Sequence, residues 1–206
     1  MALGTYSDLQ TVIGNWLDRS DLTSYVTDFI SMAEQAIYQT LRVPEMESAL
    51  NVTISGGIIA VPADLIELKS AYIDGSSTQP LQRTSVGFLY ERYPTRSSQG
   101  LPKYIAREGA SFIFGPYPDA DYTVKGIYYA RPPALSNSNT SNFLTTDYPN
   151  LLLYGSLVEA RGFLHDDPRV AMWDQLFRQA LLDANRHGRS EIMRGSPLTV
   201  STGFAP

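Results

Sequence analysis

Side chains able to do proton or metal chemistry are scarce in this chain of 206 residues. It has two histidines, and one, His165, stands beside Asp166 and Asp167, a grouping that can serve acid–base or metal chemistry. The same residues have a plainer use. Asp167 before Pro168 is the pattern of a helix N-cap with proline at the first helical position, and His165 then falls near the end of the preceding helix, where the dipole favours a cation. A di-metal carboxylate bundle needs Glu-x-x-His motifs on two helices, and the chain has none. Cysteine is absent, which excludes disulfides and thiolate metal sites. There is no phosphate loop, dinucleotide fingerprint or Gly-x-Ser-x-Gly elbow, and Ser156 falls inside a helical stretch. Glu34, Glu159 and Arg161 interrupt otherwise apolar helices, and an ion pair fixing helix register is the expected role for such residues. The expectation is therefore no catalytic residues, no cofactor and no metal.

Tyrosine is the abundant functional side chain. Tyr90, Tyr93, Tyr104, Tyr117, Tyr122, Tyr128 and Tyr129 crowd the middle of the chain. Aromatic faces bind sugars or stack bases, but Tyr is equally at home in strands and protein interfaces. The formal net charge is −5, so the phosphate-neutralising surface that nucleic-acid binding needs is missing. Thirteen of the sixteen cations are Arg, the residue suited to planar, partly buried contacts between proteins.

These residues need elements to hold them. With 43% hydrophobic residues the chain can build a core, and its length fits one domain or one domain with a large insertion. Leu9, Val12, Ile13, Trp16 and Leu17 form one apolar stripe, with Ser7 and Gln10 expected as a capping box. After the polar break Arg19-Ser20-Asp21, a second helix carries Leu22, Val26, Phe29, Ile30, Ala33, Ile37 and Leu41 and ends before Pro44.

From about Leu50 the period becomes that of strands. Asn51–Ile54 and Ile58–Val61 flank Ser55-Gly56-Gly57, a hairpin signal. Leu65–Ile73 reads as extended, Leu81 as the opening of a short strand, and Val86–Tyr93 as a short helix. Lys103–Arg107 and Ser111–Phe114 make a second hairpin, and Tyr122–Ala130 a longer strand stopped by Pro132 and Pro133. Ser136–Thr146 reads as a solvated loop. A third helix starts near Asp147 and Pro149 and, with Leu151, Leu152 and Leu153, should be central; Gly155 and Gly162 within it imply close packing against a neighbour. A fourth follows Asp167, its apolar face made by Val170, Trp173, Leu176, Phe177, Ala180, Leu181 and Ala184, ending at Gly188 or running on to Gly195. The fold class expected is α+β: a bundle of about four helices from 1–48 and 147–195, an inserted antiparallel β region at 49–146, and a flexible tail at 196–206. No signal peptide and no apolar run of ~18 residues is seen, so no membrane role is expected.

Several motifs in order resemble a known family. Tyr6-x-x-Leu9, Trp16-Leu17-x-Arg19-x-Asp21-Leu22, Phe29-Ile30-x-x-Ala33-Glu34 and Leu41-Arg42 are followed by Val61-Pro62-x-Asp64-Leu65-x-Glu67-Leu68-x-Ser70-x-Tyr72. Then come Gly115-Pro116-x-Pro118 and Pro149-x-Leu151-Leu152-Leu153-Tyr154-Gly155-Ser156-Leu157-x-Glu159-Ala160. Together they resemble the head–tail adaptor (connector) proteins of short-tailed phages. The resemblance implies a structural virion protein in the neck, made in the host cytoplasm. It implies a homo-oligomeric ring, typically a dodecamer, that docks on the phage portal protein, extends the DNA channel and presents a surface to tail or nozzle proteins. DNA would be met only in transit. It also implies a C-terminal extension that engages the portal, here with Leu198, Val200 and Phe204 as apolar anchors. Three other readings stay open: another head-completion component, a small hydrolase or carbohydrate-binding module built on the tyrosines, and a cytosolic protein–protein scaffold unrelated to phages.

Overall fold

A computed structural model of the chain describes residues 3–75, 77–95, 97, 99–164 and 167–193. The chain forms two compact units. One is built from the chain up to Glu45 and from Pro133 onward, and the other is Met46–Pro132. The protein is α+β, as its periodicities predict.

The first unit is helical. Helix α1 (Tyr6–Leu17) buries Leu9, Val12, Ile13 and Leu17, the stripe read from the sequence. Its cap is not Ser7 with Gln10. The helix has already begun at Tyr6, so the hydroxyl of Thr5 accepts the Asp8 amide at 3.2 Å and donates to the Asp8 carboxylate at 2.7 Å. The next apolar stripe is not one continuous α-helix. Residues Ser20–Tyr25 wind as a 3₁₀ turn, helped by the Thr23 hydroxyl donating to the Ser20 carbonyl, and α2 (Val26–Thr40) follows. Leu22, Val26, Phe29, Ile30, Ala33, Ile37 and Leu41 are nevertheless all buried.

Met46–Pro132 is a two-sheet sandwich. Strands β1 (Glu47–Thr53), β2 (Ile58–Ala60), β3 (Leu65–Asp74), β4 (Gln79–Pro80) and β5 (Gln82–Arg83) precede the short helix α3 (Val86–Arg92). Strands β6 (Tyr104–Glu108), β7 (Ser111–Gly115) and β8 (Thr123–Ala130) complete it. One sheet runs β1-β8-β3-β4 and the other β2-β7-β6-β5. All pairs are antiparallel except β5 with β6. Leu50, Ile54, Ile59, Leu68, Ile73, Ile105, Phe112, Phe114 and Val124 fill the space between the sheets.

The first expected hairpin is a correction. The turn is real: Gly56 and Gly57 have φ of +59° and +79°, and Ser55 and Ile58 exchange both backbone hydrogen bonds. The flanking strands then part. Ile54 donates its amide to Tyr122, extending β1 along β8, while Ile59 is opposite Phe112 on β7. Continued pairing would set Ile54 and Ile59 side by side in one sheet; parting lets both enter the core between two sheets. The second hairpin, β6 with β7, forms as read.

The chain returns to the helical unit through α4 (Phe143–Thr146), α5 (Pro149–Glu159) and α6 (Arg169–Met193). The stretch expected as a solvated loop contains α4, because Asn142 and Thr145 form a reciprocal capping box that buries Leu144 and Thr145. Helix α5 is enclosed on most sides, with Leu151, Leu152, Leu153, Gly155, Ser156, Leu157 and Val158 buried. A Cβ on Gly155 would lie 3.0 Å from Phe177 and 3.2 Å from Ala33, so this glycine lets α2 and α6 both close on α5, whereas Gly162 lies in the 3₁₀ turn Ala160–Phe163 after α5 and meets nothing within 4 Å. Gly188 does not end α6. A Cβ there would lie 3.1 Å from Val43 and 3.2 Å from Pro44, a tight fit, and the Asn185 side chain accepts the Arg42 amide at 3.0 Å.

Candidate interaction surfaces

Asp167, Glu34 and Ser156 each have a structural partner, whereas Glu159 and Arg161 form no ion pair among the described residues. His165 and Asp166 lie outside them, as do Leu198, Val200 and Phe204. Asp167 caps α6: it accepts the Arg169 amide at 2.9 Å and holds the Arg169 guanidinium at 2.7 and 3.0 Å. Those hydrogen bonds hold the Asp167 carboxyl below its ordinary range. Arg169 also donates to the Trp16 carbonyl at 3.1 Å, tying the start of α6 to the end of α1, and it lies over the Trp173 ring. Among the described residues no group of three or more His, Asp or Glu is placed to hold a metal ion.

Glu34 is the most buried charged side chain described, at 3% exposure, but it forms no helix-to-helix ion pair. Its carboxylate accepts the Leu135 amide at 3.2 Å, the Tyr38 hydroxyl at 3.2 Å and the Asn142 side-chain amide at 3.3 Å. It thus fixes the returning segment 133–142 against α2 through neutral donors. Burial raises its carboxyl above the ordinary range, and the three hydrogen bonds oppose that rise. Most of this role is invisible in local sequence, because Leu135 and Asn142 lie about a hundred residues away and only Tyr38 is a helical neighbour.

The tyrosines are dispersed. Tyr122 donates to Asp119, Tyr128 to Asp64, Tyr104 packs on Phe88 and Tyr93, and Tyr129 lies beneath Lys69. Only Tyr90, Tyr93 and Tyr117 gather, around a cavity of about 110 Å³ beside Leu89 and Glu108, with Tyr90 donating to Glu108 at 2.5 Å. That is well below the ~300 Å³ at which ligand pockets begin. A larger groove of about 310 Å³ is lined by Asp147, Pro149, Asp183 and His187, but Asp183 is already engaged by Gln179 at 2.9 Å.

What remains is surface for contact. Tyr25 and Phe163 stack at 5.0 Å and are both exposed, and Met32, Met172 and Leu182 stand out from helices. No helix among the described residues is long and apolar enough to cross a membrane. The sequence model of the SU10 adaptor protein family matches residues 4–201, almost the entire chain. The chain belongs to the SU10 adaptor protein family. It is thus a structural adaptor of phage, a virion component that associates with other virion proteins, in a family not known as enzymes. No curated protein matches it.

Proposed function

We propose that this adaptor forms a homo-oligomeric ring, twelve copies in the form typical of head–tail adaptors, between the phage portal and the tail. The observation that carries the reading is the family match over residues 4–201. The ring would sit in the neck, extend the DNA channel and offer its far side to tail or nozzle proteins. The net charge of −5 supports a conduit, since an acidic wall does not hold phosphates that must pass. In this reading 1–48 and 147–195 form the ring-building bundle, 49–146 is an inserted contact module, and 196–206 reaches the portal. Leu198, Val200 and Phe204 are the anchors, and each weak contact gains from repetition around the ring.

The test is a sedimentation binding assay with the portal protein encoded beside this chain. A chain ending at Gly195 should keep its fold by circular dichroism and lose portal binding, and Phe204→Ala should weaken binding more than Ser201→Ala. Normal binding by the shortened chain would overturn the role of the tail, and equal effects of the two substitutions would remove Phe204 as an anchor.

A further inference from the structure

Helix α6 carries an outer stripe that its own chain leaves uncovered. Ala171, Gln175, Arg178, Leu182, Arg186 and Arg189 recur at helical spacing and are all exposed. Leu182 is 54% exposed at the middle of the stripe, with Arg178 and Arg186 one turn away on either side. The acids that neighbour these arginines, Asp174 and Asp183, lie on the flanks, at 2.9 Å from Arg178 and 3.7 Å from Arg186. So the stripe presents one apolar knob among three arginines, of which Arg178 and Arg186 are each paired with an acid of their own helix.

The outer stripe of α2 carries no cation and one acid. Asp28, Met32, Gln35 and Gln39 follow the same spacing and are exposed, with Met32 at 41%. Asp28 takes no ion-pair partner among the described residues. Asp28 is the one acid of this stripe, and Gln35 and Gln39 are neutral hydrogen-bonding groups. At 15 residues, α2 is long enough for about four turns of contact with the 25-residue α6.

We propose that the outer face of α6 docks on the outer face of α2 of a second copy, with Leu182 against Met32 and the Arg178, Arg186 and Arg189 cations facing Asp28, Gln35 and Gln39. This deepens the ring reading and rests on it. The two faces differ in sequence and charge, so the contact is heterologous: each copy gives one face and receives the other, the arrangement that closes a ring. Opposite charge fixes the register, and the apolar pair supplies the buried centre.

The chain has no cysteine, which makes the test specific. Met32→Cys and Leu182→Cys are prepared as separate full-length proteins, mixed, and oxidised both alone and with the portal present. A disulfide requires close approach of the two backbones, so docking as described gives a cross-linked pair in the mixture and none in either protein by itself. Arg186→Glu placed in the Leu182→Cys protein should lower the yield about tenfold, and Asp28→Arg in the Met32→Cys protein should restore it. Cross-linking of Leu182→Cys with itself, or no product in the mixture under either condition, overturns the proposal. Portal binding is measured on the same samples. Binding without the cross-link removes this contact alone, and the cross-link without binding removes the portal reading alone. Circular dichroism of each variant reports whether it is folded.

Discussion

Helices α5 and α6 follow one another in the chain and behave as opposites. Helix α5 buries seven of its eleven residues, and its buried Ser156 hydroxyl is satisfied by donating to the Leu152 carbonyl at 2.8 Å. Helix α6 is more than twice as long, yet among the residues whose side chains are described only Trp173, Ala184 and Gly188 are buried. One helix is a scaffold that other helices close upon. The other is anchored at a few points and holds its remaining surface outward. An adaptor needs both, because a contact face must stay in place while it waits for its partner.

The comparison can be broken at either helix. Leu152 is fully buried on α5, so Leu152→Ala should destabilise the chain by ~2–5 kcal/mol in chemical denaturation. A loss under ~1 kcal/mol would mean that α5 is not the scaffold. Glu34 should have the next largest effect. Glu34→Ala leaves the buried Leu135 amide without its acceptor and should lower stability by ~1–3 kcal/mol, with Glu34→Gln closer to wild type. The sign of the pH dependence follows from burial. The folded state holds the Glu34 proton more tightly than the unfolded chain, so the residue contributes most below the unfolded carboxylate pKa, and that contribution is lost as pH rises through the folded pKa. The stability of wild type relative to Glu34→Gln should therefore fall across that window, and a flat difference would contradict it. The smallest effect belongs to α6. Leu182→Ser should leave stability within ~0.5 kcal/mol while weakening self-association, and a large loss of stability would show that this face is already covered.

The helical stripes were legible because they depend only on spacing. Every apolar residue expected on the faces of α1 and α2 is buried, except Trp16, which is half-buried and meets Tyr154 edge-on. What could not be read was whom an element meets. Gly56 and Gly57 fix a local reversal, but nothing in those residues says that β1 will join β8 and β2 will join β7. Two of the three Glu34 donors, Leu135 and Asn142, and the α4 capping box depend on chain that returns after the whole β unit. On α6 the pattern marked Val170, Leu176 and Leu181 for burial, and they are only half-buried. Periodicity shows which face is apolar, not whether the same chain provides its cover. The surfaces of an adaptor are the residues for which that distinction matters, and family membership, carried by motif order, identified the protein where local chemistry did not.

The most direct test is the native mass of the full-length chain, alone and after mixing with its portal. The account predicts one large complex in which many copies, twelve for the proposed ring, sit on a single portal assembly. A chain that stays monomeric in both samples would contradict it.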